Sequence, residues 1–194
     1  ISIAAAKATN LSLISNAAIT QPNAANTITV TGLNVDGAYV ALDTGTSTSR
    51  HAVSRLSGHS RSGDFAIRQT GALEIGTVDD QPGIDAHGND VSINSSGAIT
   101  QTQLIKNTQQ WSSTSIGGLT LSQTGNQISQ VLSADNRDSG NISLTTEGAT
   151  TYTQVTNADG GNVSLQTGSG LADLVSINSN TGRIQVTSGG GARV

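Results

Sequence analysis

Gly140-Asn-Ile-Ser-Leu-Thr-Thr-Glu-Gly148 is followed by Gly161-Asn-Val-Ser-Leu-Gln-Thr-Gly-Ser-Gly170 and then by Gly182-Arg-Ile-Gln-Val186. Each copy opens on a turn-forming Gly and continues as apolar, polar, apolar, the period-two pattern of a half-buried strand. Ile142, Val163 and Ile184 are evenly spaced, so the late copies keep one period. Earlier in the chain the same phrase stands at Asn10-Leu-Ser-Leu13, Asn26-Thr-Ile-Thr-Val30, Gly63-Asp-Phe-Ala-Ile67, Asn89-Asp-Val-Ser-Ile93 and Gly118-Leu-Thr-Leu121, with a late copy near Leu174-Val-Ser-Ile177. The period is looser there: the step from Val91 to Leu119 is longer than the step from Leu119 to Ile142, and both exceed the later ones.

A second phrase ends in Gln: Ile19-Thr-Gln21, Ile67-Arg-Gln69, Ile99-Thr-Gln101, Ile128-Ser-Gln130 and Tyr152-Thr-Gln154. It alternates with the first and reads as another strand of the same unit. A unit of about 20 to 30 residues with several short strands cannot bury its own apolar side, so copies must stack. The expected fold is therefore all-β, a parallel β-helix (β-solenoid) of about nine coils. At about 4.8 Å between stacked strands it forms a rod on the order of 40 Å long. The alternative is an antiparallel β-sandwich, which also uses many short strands but normally leans on aromatics.

Composition supports the solenoid. Of 194 residues, 25 are Ser, 25 Thr, 15 Asn and 13 Gln, and only four are aromatic: Tyr39, Phe65, Trp111 and Tyr152. Nine Lys and Arg against 13 Asp and Glu leave a net charge of −4, with no basic surplus to bind nucleic acid by counterion release. No run approaches the roughly eighteen apolar residues of a spanning helix, so membrane insertion is not expected. The absence of Cys suits a large exported protein kept free of disulfides and equally a cytosolic one, and the absence of any Met suggests a segment of something larger. Residues 1–194 are read as one solenoid unit, with 34–62 as a projecting loop or irregular coil.

The run Gly71-Ala-Leu-Glu-Ile-Gly-Thr-Val-Asp79, with Gly83-Ile-Asp-Ala-His-Gly-Asn-Asp-Val-Ser-Ile-Asn-Ser-Ser-Gly-Ala-Ile-Thr-Gln-Thr102 and the copies at Gly140 and Gly161, resembles the repeat region of filamentous haemagglutinin-like exoproteins. The resemblance covers residues 63 to 194 well and 1 to 62 more loosely. It implies a right-handed β-helical shaft of a large bacterial adhesin, secreted or on the outer cell surface and often exported by a two-partner system. The Asn-x-Asn-Gly phrase of that family's secretion domain is absent, which implies an internal shaft segment.

Motifs for chemistry are sparse. His51, His59 and His87 lack metal-ligand spacing, and there is no nucleophile elbow, phosphate-binding loop or His-Glu-x-x-His. The acidic turn-rich stretch Asp79 to Asp90 offers hard oxygens for Ca²⁺ or a carboxylate pair for a polysaccharide-acting enzyme. Its spacing is irregular, and neither catalytic residues, a cofactor nor a metal is assigned. Arg50, His51, Arg55, His59, Arg61 and Arg68 concentrate basic charge where two Ile-x-Gln phrases, at Ile19 and Ile67, lie furthest apart, a candidate site for acidic or sulfated glycans. Asn10, Asn94, Asn141 and Asn162 each begin Asn-x-Ser, a glycosylation sequon that is equally a strand-start turn. Trp111 reads as covering a coil edge or filling a wide corner in preference to a sugar platform. The threonine arrays Thr44-Gly-Thr-Ser-Thr48 and Thr151-Tyr-Thr153 do not recur at one period, as an ice-binding face requires.

The expected function is a non-catalytic shaft whose partners are adjoining coils of the same chain, with host-surface glycans or proteins met by loops. The alternative is a fibre subunit that stacks end to end with other copies, its unpaired strand edges exposed. A polysaccharide-acting β-helix enzyme stands third.

Overall fold

A computed structural model of the chain describes residues 6–21, 23, 25–43 and 51–194. The chain winds as a parallel β-solenoid of about eight turns, with no helix among the described residues. Ile19, Val40, Phe65, Val91, Trp111, Val131, Tyr152 and Leu174 stand on one another in parallel register, one per coil. The coils are unequal in length, and the longest lie on either side of Phe65. Parallel pairing throughout the main sheet rules out the sandwich.

Alternation places the apolar residues inside. In the strand Val163–Thr167, Val163, Leu165 and Thr167 are buried while Ser164 and Gln166 face outward. Leu73, Ile99, Leu119, Ile142, Val163 and Ile184 form a second ladder, so the Gly-led phrase of the later coils is a true structural repeat. Its leading Gly has a steric cause. A Cβ on Gly140 would lie 2.5 Å from the Gly117 carbonyl oxygen, and one on Gly161 would collide with the Gly140 carbonyl.

The Ile-x-Gln phrase is different. Ile19 and Tyr152 share the first ladder, Ile99 belongs to the second, and Ile67 lies with Leu42 and Ile93 in a third. Similar words thus occupy different faces, because any inward residue flanked by polar ones meets the same requirement.

Residues 34–62 are described only in part. Their described part runs through the strands Ile28–Gly37, Val40–Leu42 and Ala52–Ser60, which pair within the stack. Val35, Val40, Leu42, Val53 and Leu56 supply the inward positions without the Gln that marks the other copies. Positions 44–50, which hold Arg50 and the array at Thr44 to Thr48, lie outside the described residues.

The one antiparallel pairing among the described strands is a hairpin, Thr77–Val78 with Gln81–Pro82. Asp79 and Asp80 form its two-residue turn at φ of 48° and 63°, both in the left-handed region such tight hairpins require. The hairpin packs over the strands Ile28–Gly37 and Ala52–Ser60, with Val78 buried beneath it. Its tip reaches the first described coil, where the Asn10 side-chain amide donates to Asp79 at 3.1 Å.

Two corners of the coil are polar inside. In one, Gln69, Ser95, Ser115, Asn136 and Asn157 follow one another up the stack, all buried. Asn136 donates to the Asn157 amide oxygen at 2.8 Å and accepts from the Ser115 hydroxyl at 3.2 Å. In the other, Asn126 donates to the Gln101 amide oxygen at 3.0 Å and to the Thr145 carbonyl at 3.0 Å. These side chains satisfy backbone groups that a turn takes out of the strand ladder and that burial would otherwise leave without partners.

Candidate functional site

Along one side of the rod runs an open groove of about 970 Å³. His87, Asn107, Gln127, Glu147 and Ser169 line it at nearly even sequence intervals, one from each of five successive coils. Gln109 and Ser129 lie beside that row, and Gly88, Gly148 and Ala149 add no bulk. At Gly148 and at Gly88 a Cβ would meet nothing within 4 Å.

The concavity begins at two bends. His87 and Asn107 take left-handed backbone, φ 50° and 49°, within the paired strands Ile84–Ser95 and Ile105–Ser115, whose register shifts between Asp85 and Val91. Such bulges bend a strand and re-aim its side chains. Behind the bends Asp85 accepts from the His87 backbone N–H and from the Asn107 amide, each at 3.0 Å. Burial acts to raise the Asp85 pKa, but those hydrogen bonds and the nearby His87 and His59 rings hold it below the ordinary value.

Polar contacts continue along the row. The Asn107 N–H approaches the Gln127 amide oxygen at 3.4 Å, and the Gln127 amide donates to Glu147 at 3.2 Å. Among the described residues no Lys or Arg lines the groove, and its ionisable side chains are His87 and Glu147.

The basic residues that are close in sequence are divided in space. His51 is buried, its Nδ1 accepting the Ile28 N–H at 2.9 Å, and burial lowers its pKa against a smaller opposing effect of the Leu42 backbone. Arg55 pairs with Glu74 at 2.9 Å and Arg61 with Asp36 at 2.6 Å. Stacking sets those carboxylates one coil from each guanidinium, which the sequence order hides. Arg55 also holds the Glu74 carboxyl below its usual value, with help from the Thr102 hydroxyl. His59 meets the Gln81 amide at 2.7 Å and the His87 ring edge-on at 5.7 Å, while half-buried Arg68 lies opposite Asn94 on another face.

Of the sequons, Asn10, Asn141 and Asn162 are exposed and Asn94 is half-buried. Asn141 and Asn162 act as struts: the Asn141 side chain accepts the Asn162 N–H at 2.8 Å, and the Asn162 side chain accepts the Arg183 N–H at 2.9 Å. Trp111 is fully buried, with its Nε1 donating to Ser113 at 2.9 Å. Among the described residues no group of three His, Asp or Glu side chains comes together to hold a metal ion. The stretch Asp79 to Asp90 is split between the hairpin tip and the groove's upper bend.

The polar corners and the groove are not evident from any single motif. The signal for the groove was nevertheless present: Asn107 and Gln127, evenly spaced with Glu147 beyond them, repeat an amide once per coil. What fold and groove define is a β-solenoid with an open polar groove along one side. Compared with protein-family models, curated proteins and solved structures, the chain has no significant match.

Proposed function

We propose that this chain is a stretch of the rigid, non-catalytic shaft of a secreted or cell-surface bacterial adhesin. The observation that carries the reading is the unbroken ladder from Ile19 to Leu174, which makes stiffness and reach a property of every coil. The phrases at Gly71, Gly140 and Gly161, similar to those of filamentous haemagglutinin-like exoproteins, add the cellular setting. A second reading is end-to-end stacking of copies into a fibre, joined by the same parallel pairing that joins successive coils.

Electron microscopy of the purified chain separates the two. Discrete short rods support the shaft, and long filaments overturn it in favour of the fibre. Antibody raised against the chain then tests the location. Labelling of intact producing cells is expected, and labelling only after permeabilisation would remove the adhesin reading.

A further inference from the structure

We propose that the groove from His87 to Ser169 binds a neutral, linear oligosaccharide laid along the rod axis. The first ground is dimension. Five coils contribute one row each, so the groove repeats every 4.8 Å or so over a length on the order of 20 Å. A linear chain of pyranose rings, each comparable in length to one coil spacing, can set successive hydroxyl-bearing units against successive polar rows. An extended peptide advances about 3.3 Å per residue and falls out of step with the coils.

The second ground is chemistry. Asn107, Gln109 and Gln127 present amides that donate and accept, as hydroxyl recognition requires. Gln109 and Ser129 are exposed and have no side-chain hydrogen-bond partner among the described residues, so their capacity is uncommitted. With Glu147 in the row and no Lys or Arg among the described lining residues, the groove repels a polyanion. The ligand expected here therefore differs from the acidic glycan suited to the basic residues Arg55 to Arg68, whose His59 meets the groove's His87 ring edge-on. The third ground is space: the open positions above Gly88 and Gly148 leave room for a ring against the backbone. The inference rests on the coil geometry and not on the shaft reading, which microscopy tests separately.

Isothermal calorimetry of the full chain with cellohexaose, chitohexaose and heparin tests it. At least one neutral hexasaccharide is expected to bind saturably, with its trisaccharide at least tenfold weaker. Gly148→Leu fills open space and is expected to weaken binding at least tenfold while keeping the parent's melting temperature. Should Gly148→Leu fail to fold, Gln109→Ala serves in its place, with a loss of about fivefold for one hydrogen bond. Binding of neither neutral hexasaccharide, binding indifferent to the groove variant, or preference for heparin would each overturn the proposal.

Discussion

Asn136 makes five hydrogen bonds inside the solenoid. It accepts from Ser115 and the Gly118 N–H, and donates to Asp138, Ser139 and Asn157. Asn136→Ala strands several of these groups without water, and each costs roughly 1–3 kcal/mol when left unmade. The expected loss is at least about 2 kcal/mol, read as a lower urea midpoint with unchanged slope. A neutral result would mean that the corner relaxes without its side chain. His51 gives a prediction in pH, since its buried ring accepts a backbone N–H and burial depresses its pKa. Above about pH 6.5 the ring is neutral in both folded and unfolded chains and stability is at its full value. As pH falls from there, the unfolded chain takes up a proton that the buried ring resists. Stability drops until the pH passes the depressed folded value. Denaturation midpoints at pH 7.5 and 5.0 should therefore differ in the parent, and His51→Gln should reduce the difference.

At the scale of the element, the first ladder alternates ring and valine: Val40, Phe65, Val91, Trp111, Val131, Tyr152. Three of the four aromatics thus lie in one column, each fully buried and separated from the next by a small branched residue. Large and small side chains alternating along the axis fill an interior to native density. Val131→Phe would set three rings in successive coils and should cost about 1–3 kcal/mol by overpacking, whereas Val131→Ile should cost less than about 1.5. Equal stability for Val131→Phe would mean that the column has spare volume. Strand alternation and turn residues made the solenoid legible, because the pattern at Ile142, Val163 and Ile184 is set by stacking itself. The aromatic column was not legible, since the spacing from Phe65 to Trp111 spans two coils of unequal length. Nor was the hairpin: its Asp79-Asp80 turn reads as an acidic loop until Val78 is found buried beneath it. The groove was missed for a similar reason. Asn107, Gln127 and Glu147 are ordinary outward residues singly and become a site only once coils are superimposed.

At the scale of the molecule, each coil after the Asp79 hairpin rests on its neighbours, so stability there is a sum of coil and interface contributions and opening can begin at one interface. Leu165 is buried between Leu144 and Val186, and Ile93 lies between Ile67 and Ser113 in the middle of the stack. Truncation of either to Ala should cost about 2–5 kcal/mol locally. Their consequences should differ. Leu165→Ala weakens the stack near Ile184 to Ser188, so hydrogen exchange should accelerate from about Val163 onward while the strand Ile84–Ser95 keeps its protection. Ile93→Ala instead weakens a central interface, and faster exchange should centre on the strands Phe65–Gln69, Ile84–Ser95 and Ile105–Ser115. Native-state exchange read by mass spectrometry on both variants makes the comparison. If either substitution raised exchange uniformly along the chain, the rod would open as one cooperative body, and the nearest-neighbour account of its stiffness would fail.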